Sequence, residues 1–416
     1  MRSQVDVMVD ISGTTRIAGT LWFHHRGKQS ATFRYAEEYL AEKGSYALDP
    51  ALPLGTGVFQ TRPGQAMFNA FSDGAPDRWG KNLLRREERD RAERTSSTPR
   101  TLLPADFLLG VRDDVRQGAI RYRDIVGGGF LSNHAHAVPH LVELGRLLGA
   151  VDRLDAEQPV NQDIRDLMDA GGSLGGARPK ASVIMPGGRL AIAKFPRKGS
   201  DEWDVMRWEN LELDLAVRCG ISVAPYQLVE AAGRPILLVE RFDRIHGQRV
   251  GFASALTMLE SDDGEQRSYL EIVDVIESHS VRATEDLREL FTRIAFNILT
   301  SNTDDHLRNH GFLRPEGDGW TLSPAFDLNP APHSPGRLST TIEFDDDDAD
   351  IGLLLSTAGY YRLTEARARQ IILDVEETTS GWATLARSVG LPGPEIALMA
   401  MAYDTDQRRA AASLRR

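Results

Sequence analysis

The sequence predicts an α+β protein, strand-rich toward its amino-terminal end and helical toward its carboxy-terminal end. Short β-prone runs separated by glycine turns fill the first 65 residues and return near 180–240, whereas from about residue 265 the apolar residues repeat with helical period. At 416 residues the chain is also long for one core, and about 150 residues per domain suggests two or three.

Taken in order, "VDVMVD", "TRIAGTLWFH" and "SATFRYA" read as strands broken by Ser-Gly, Arg-Gly-Lys and Gly-Ser signals. "QAMFNAFSDGAPDRWGKNLLRREERDRAERT" changes to a helical period, interrupted at Gly74 to Pro76. Its terminal charge run mixes Glu and Asp with Arg and reads as a solvated face. A helix is expected in "AVPHLVELGRLLGAVDRL". "ASVIM" and "RLAIAKF" flank Pro186-Gly187-Gly188 and predict a hairpin, and "PYQLVEAAGRPILLVERFDR" predicts a second around Ala232-Gly233. Between them "DEWDVMRWENLELDLAVRCG" starts acidic and stops at Gly220, as a helix should. The remainder holds the helical stretches "SYLEIVDVIESHS", "ATEDLRELFTRIAFNILTS", "TEARARQIILDVEETTSGWATLARSVG" and "PGPEIALMAMAYDTDQRRAAASLRR".

Hydrophobic residues at 41% and charged residues at 26% are ordinary for a soluble globular chain. No apolar run approaches the roughly 18 residues that span a bilayer. The start lacks a signal-peptide block, and the single cysteine, Cys219, excludes an internal disulfide framework, so a cytoplasmic location is expected. Cys219 itself reads as a structural thiol. A net charge of -11 argues against a whole-surface grip on nucleic acid. Only six of the 49 basic residues are lysines, so a lysine inside a motif is informative.

Three motifs carry candidate chemistry. "GGSLGGARPK" gathers Gly171, Gly172, Gly175 and Gly176 around Ser173, and glycines let backbone N–H groups approach a phosphate closely. It is not a Walker A loop. Lys194 follows in "AIAKF", where strand alternation groups it with Leu190 and Ile192; an apolar face would bury the ammonium unless an anion met it. In kinases such a strand lysine reaches the nucleotide phosphates and pairs with a glutamate on the next helix. Glu209 and Glu212 are available here. Finally "SNTDDHLRNHGFL" holds Asp304 and Asn309 at the D-x-x-x-x-N spacing of a kinase catalytic loop, and a hairpin expected in "HGFLRPEGDGWTLSPAFD" leads to Asp327. An alternative is a zinc site of His306, His310 and Asp304, weakened by the missing zincin glutamate and by the lack of a cysteine or third histidine nearby except His333. His310 alone reads as a hydrogen-bonded histidine packed near the loop. The acidic "EFDDDDAD", with Asp345 to Asp348, reads as a solvated loop.

With these residues in hand, the chain resembles the HipA family, bacterial serine/threonine kinases that act as toxins of type II toxin-antitoxin modules. The resemblance lies in "SLGGARPKA", "AIAKFP", "LLVERFDR", "TDDHLRNHGF" and "FDLNP", with "SDGAPDRWGKNLL" resembling that family's amino-terminal module. It implies a two-lobed, protein-kinase-like fold divided as 1–110 (amino-terminal module), 111–170 (connector), 171–244 (nucleotide-binding lobe) and 245–416 (helical catalytic lobe). It implies ATP and Mg²⁺ as cofactors, Asp304 as catalytic base, and Asn309 and Asp327 as Mg²⁺ ligands. Lys194 would hold phosphates, Glu209 would belong to the same nucleotide site, and Lys180 with the loop residues Ser173, Gly175, Gly176 and Ala177 would help. Glu240 and Phe242 would offer backbone hydrogen bonds to adenine, with Asp243 and His306 near the nucleotide. Ser173 matches a serine that family members autophosphorylate. The resemblance further implies a protein substrate, possibly an aminoacyl-tRNA synthetase, and a small DNA-binding antitoxin as partner. A co-repressor role, or a small-molecule kinase, stands as the alternative. Asp305 occupies a position where glycine is common in the family, and Arg178-Pro179 stiffen the loop.

Overall fold

The computed structural model describes residues 3–25, 27–132, 137–171, 178–315, 319–334, 336–344 and 346–415. The chain forms two compact units. One comprises Met1–Ser200, Val229–Ala253 and Leu313–Asp318; the other comprises Asp201–Leu228, Ser254–Phe312 and Gly319–Arg416.

In the first unit β1 (Gln4–Ile11), β2 (Thr14–His24), β3 (Ser30–Tyr35), β4 (Phe59–Gln60) and β5 (Ile120–Arg123) form a sheet of order β4-β3-β2-β1-β5. The strand alternation expected from "VDVMVD" is present: Val5, Val7 and Val9 are fully buried. They share a core with Phe33, Tyr35 and the flanking α1 (Glu37–Ala41) and α2 (Asn69–Asp73), which contribute Tyr39 and Phe71. Gly19 on β2 is required by packing, because a Cβ there would sit 2.1 Å from the Arg34 carbonyl oxygen.

Next come α3 (Arg78–Arg94), α4 (Pro104–Gly110), α5 (Leu144–Asp155) and α6 (Asn161–Asp169). α5 presents Leu144, Leu147, Leu148, Val151 and Leu154, a helical stripe that packs on a second sheet. That sheet contains β6 (Lys180–Ile184), β7 (Leu190–Lys194), β8 (Tyr226–Ala231) and β9 (Arg234–Glu240) in the order β6-β7-β9-β8. Its covered face carries Ala181, Val183, Ala191, Ala193, Ile236 and Leu238, with Trp79 and Leu83 of α3 against it. Small alanines on the strands make room for the large helix side chains. Both expected hairpins form: Gly187 and Gly188 take φ of 82° and 78°, and Ala232 and Gly233 take 49° and 74°, the left-handed pair that a two-residue turn demands. A small ribbon of β10 (Arg244–Ile245) and β11 (Gln248–Arg249) follows, then β12 (Gly251–Ser254).

The second unit is mostly helical: α7 (Val205–Arg218), α8 (Ala255–Met258), α9 (Tyr269–His279), α10 (Ala283–Thr300), α11 (Ile351–Ser356), α12 (Glu365–Ser380), α13 (Trp382–Ser388), α14 (Gly393–Tyr403) and α15 (Asp406–Ser413). Two further strands, β13 (Gly311–Arg314) and β14 (Thr321–Leu322), lie where the third hairpin was expected, and Ser323 N–H donates to Gly311 O at 2.8 Å. α9 is closed by a capping box, Ser268 with Glu271. α10 is buried nearly all round from Phe291 to Thr300, as the central helix of a bundle must be. It packs against α9, α11, α12, α14 and α15 and stops at Ser301, whose φ of 53° turns the chain out of the helix. The "SNTDDHLRNH" segment therefore starts from the most deeply held helix of this unit. No described helix is long and apolar enough to cross a membrane.

Candidate active site

In the first unit the Leu190, Ile192 and Lys194 face of β7 is half-buried, while Ala191 and Ala193 fill the core. Alternation groups the three residues as the sequence predicts, but the helices cover the opposite face, so Lys194 is only partly enclosed. Lys180 is the direct register partner of Lys194 across β6 and β7. Its ammonium is buried and lies 3.2 Å from Asp77 Oδ2. Asp77 also caps α3 by accepting from Gly80 N–H at 2.7 Å. Burial pushes the Asp77 carboxyl up, and Lys180 opposes the shift.

After β9, the Glu240 carboxylate meets Arg189, and Arg241 N–H donates to Leu190 O at 2.9 Å. The Phe242 ring lies 6.3 Å from that of Phe252. The Asp243 carboxylate is fully buried. It accepts from Arg241 Nε at 2.6 Å, Arg244 Nη1 at 2.8 Å and Gly118 N–H at 2.7 Å. Burial would raise its pKa, yet the two guanidiniums and the amide hold it well below the usual carboxylate range. Its side chain thus anchors the turn after β9 to the segment before β5. The loop residues Ser173, Gly175, Gly176 and Ala177 lie outside the described residues.

In the second unit the loop after α10 is built on its carbonyl groups. Asp304 O accepts from His306 N–H at 3.0 Å and from Asn309 Nδ2 at 3.1 Å, while His306 O accepts from Asn309 N–H at 2.8 Å. The D-x-x-x-x-N spacing therefore closes one short ring that fixes the Asn309 side chain and the Asp304 backbone. Asp304 and His306 are exposed, and Asn309 is buried. Further along, Asn302 Oδ1 accepts from Asn329 N–H at 3.3 Å, and Ser301 O from Ala331 N–H at 3.1 Å. These bonds tie the loop to the segment that follows Asp327. Asp327 has a φ of 60°, a left-handed conformation that aspartate tolerates better than most residues.

Glu209 and Glu212 on α7 are both buried. Glu212 accepts from the Tyr403 hydroxyl of α14. Burial raises its pKa to about 8, with the Tyr403 and Thr300 hydroxyls pulling the other way. Of the two glutamates the sequence left open, Glu212 thus serves the helical core. Cys219 fits a structural thiol, pushed up to about 12 by burial.

The zinc alternative has no support among the described residues. His306 faces out, whereas His310 is buried with Nε2 2.8 Å from Asp305 Oδ2. The acidic group whose ligand atoms lie within 4.8 Å of one another is instead Asp346, Asp347 and Asp348, a largely exposed loop. Sequence reasoning missed Tyr269 and Asn297, which donate to Asp305 Oδ2 at 2.6 and 2.7 Å. Tyr269 is separated from the loop by 36 positions, and no local pattern announces it.

A family model described as the HipA-like C-terminal domain matches residues 172–382, and one described as the HipA N-terminal domain matches residues 9–103. The chain belongs to the HipA family. A curated protein of Sinorhizobium fredii named "Putative kinase Y4mE" is 27% identical over 255 residues, covering 53% of this HipA-family chain and 52% of that protein. A Haemophilus influenzae protein named "Putative kinase" is 27% identical over 135 residues, 29% of this chain and 39% of that one. The chain thus spans about half or less of the length of these relatives. A solved structure from Shewanella oneidensis MR-1, a complex of HipA, HipB and operator DNA, matches with a TM-score of 0.69 at 16% identity, covering 98% of this chain and 96% of that chain. At that identity the match speaks for the fold: this chain has the mixed α/β, kinase-like fold of the HipA family.

Proposed function

We propose that this HipA-family chain is an ATP- and Mg²⁺-dependent kinase that transfers the γ-phosphoryl group to a serine or threonine hydroxyl of a protein in the cytoplasm. The observation that carries the reading is the closed ring of the Asp304 to Asn309 loop. It leaves the Asp304 carboxylate exposed, where it would accept the proton of an incoming hydroxyl. It also commits Asn309 Nδ2 to a carbonyl, which leaves the amide oxygen as that side chain's ligand atom. That oxygen and the Asp327 carboxylate would supply the hard oxygen donors that suit Mg²⁺. When bound there, the ion would neutralise charge on the transferring phosphoryl group. Lys194 would hold phosphate oxygens, with Lys180 near the glycine-rich loop. Glu240 and Phe242 would meet adenine through their backbone, and His306 would lie beside the nucleotide. Asp243 would act from behind, because arginines and an amide already engage its carboxylate. The names of the two curated relatives support the class of reaction.

Family membership further supports autophosphorylation of Ser173, where a dianionic group would compete with ATP phosphates. An aminoacyl-tRNA synthetase is a candidate target. The Shewanella complex supports a small DNA-binding antitoxin as partner, and with it a co-repressor role. The deciding experiment is mass spectrometry of the wild-type chain and Asp304→Ala after incubation with Mg-ATP. Phosphate on protein, Ser173 included, is expected for the wild type and none for a folded Asp304→Ala. Normal incorporation by that variant would remove the mechanism, and phosphate found only on small molecules would favour a small-molecule kinase.

A further inference from the structure

Asp305 is a buried anion directly beside the proposed catalytic base, and the mechanism above makes no use of it. Its side chain is 5% exposed. Three donors from three places converge on Oδ2: the Tyr269 hydroxyl of α9 at 2.6 Å, Asn297 Nδ2 of α10 at 2.7 Å, and His310 Nε2 at the start of β13 at 2.8 Å. The Tyr269 and His310 rings also meet edge to face, 5.7 Å between centroids. The backbone at the same residue is gripped too, since the Thr340 hydroxyl donates to Asp305 O at 2.7 Å. Two residues earlier, Ser339 N–H and Oγ donate to Thr303 O at 3.0 and 3.1 Å.

The segment between α10 and the short turn at Leu307 runs without regular structure, and its side chains alternate: Thr303, Asp305 and Leu307 are buried, while Asp304 and His306 are exposed. The His306 N–H to Asp304 O bond turns the chain tightly at Asp305, so holding that side chain inward leaves both neighbours outward. A desolvated carboxylate is costly to leave unpaired, so an anion with three donors holds its place more strongly than an apolar residue could. Burial would raise its pKa, but the His310 imidazole and the Tyr269 hydroxyl outweigh burial and keep it below the usual carboxylate value.

The geometry points to Asp305 as a positioning residue for the proposed phosphoryl transfer: its clasp by Tyr269, Asn297 and His310 aims Asp304 and His306 out of the loop together. This rests on the kinase reading for its effect on rate and on the structure alone for its effect on the loop. Two variants test it. Asp305→Asn removes the negative charge that draws three donors to one oxygen, and Tyr269→Phe removes a single donor while keeping the ring.

Turnover is expected to fall about 100-fold in Asp305→Asn, the loss that a displacement of about 1 Å produces, and less in Tyr269→Phe. Mg-ATP affinity, measured by calorimetry, should fall less than turnover does in both, since Asp304 meets the incoming hydroxyl and only His306 of the pair lies beside the nucleotide. Hydrogen exchange in a peptide covering 302–309 should quicken about 10-fold or more while the rest of α10 keeps its protection. Unchanged turnover and unchanged exchange in folded variants would overturn the assignment. Equal losses of affinity and turnover would also overturn it, because they would mark a general structural lesion. If Asp305→Asn does not fold, Tyr269→Phe decides by the same readouts. Were the wild type to transfer no phosphate at all, the kinase reading would fall, while the exchange measurement would still decide whether Asp305 holds the loop.

Discussion

Lys180 and Lys194 stand opposite one another across β6 and β7, and two like charges in that register repel. Asp77 relieves this for Lys180 while capping α3, so one carboxylate does two separable jobs. Asparagine is as good a cap as aspartate but carries no charge. Asp77→Asn therefore reports the ion pair alone, and Asp77→Ala reports the pair and the cap together. Removing the Asp77 carboxylate from this buried ion pair is expected to cost about 3–5 kcal/mol, and loss of the cap about 1 kcal/mol more. Urea midpoints of the two variants check both numbers; equal midpoints would deny the cap, and wild-type midpoints would deny the pair. The sequence singled out Lys180 as a phosphate-loop candidate but offered no reason to look for its partner about a hundred positions earlier, because that pairing exists only once α3 packs on the second sheet.

Among the elements, α7 is joined to α14 through Glu212 and Tyr403, a buried link whose strength depends on a proton. An ordinary glutamate titrates near 4.5 and Glu212 near 8. The folded chain thus keeps a proton that the unfolded chain has released at neutral pH. The stability this proton contributes is complete below about pH 4.5 and is lost as pH rises through about 8, at up to roughly 1.4 kcal/mol per unit. The thermal midpoint should fall between about pH 5 and 8, and Glu212→Gln should flatten that slope and exceed the wild type above pH 8. A variant with an unchanged slope would contradict the link. The elements themselves were legible where local chemistry decides them: the Pro186-Gly187-Gly188 and Ala232-Gly233 turns, the Gly220 stop, and the Ser268 to Glu271 box all act within a few residues. β5, α4 and α6 were not foreseen, since they are short and gain their stability from a sheet or a core assembled from distant parts of the chain.

For the whole molecule, a net charge of -11 bears on the company the chain keeps. Counterion release requires clustered Lys and Arg, which a chain of this charge does not present over its whole surface. In a gel-shift assay near 150 mM salt the chain alone should leave an operator-like duplex unshifted at concentrations of about 1 µM. A supershift is expected only when a small DNA-binding partner is added. Direct retardation by the chain alone would show a basic patch that the net charge conceals.

The sequence by itself determined the α+β division, the hairpins around 187 and 233, and the identity of Asp304, Asn309, Asp327 and Lys194 as the residues to examine. These are properties of spacing and residue type, which a linear string carries. Tertiary structure alone decided which of the other candidate groups are committed to the protein itself. Glu212 goes to Tyr403, Asp243 to two arginines, Lys180 to Asp77, and His310 to Asp305 rather than to a zinc ion. The physical reason is burial: a charge removed from water takes whichever partner the packing brings within reach, and for Glu212 and Lys180 that partner is far away in the chain.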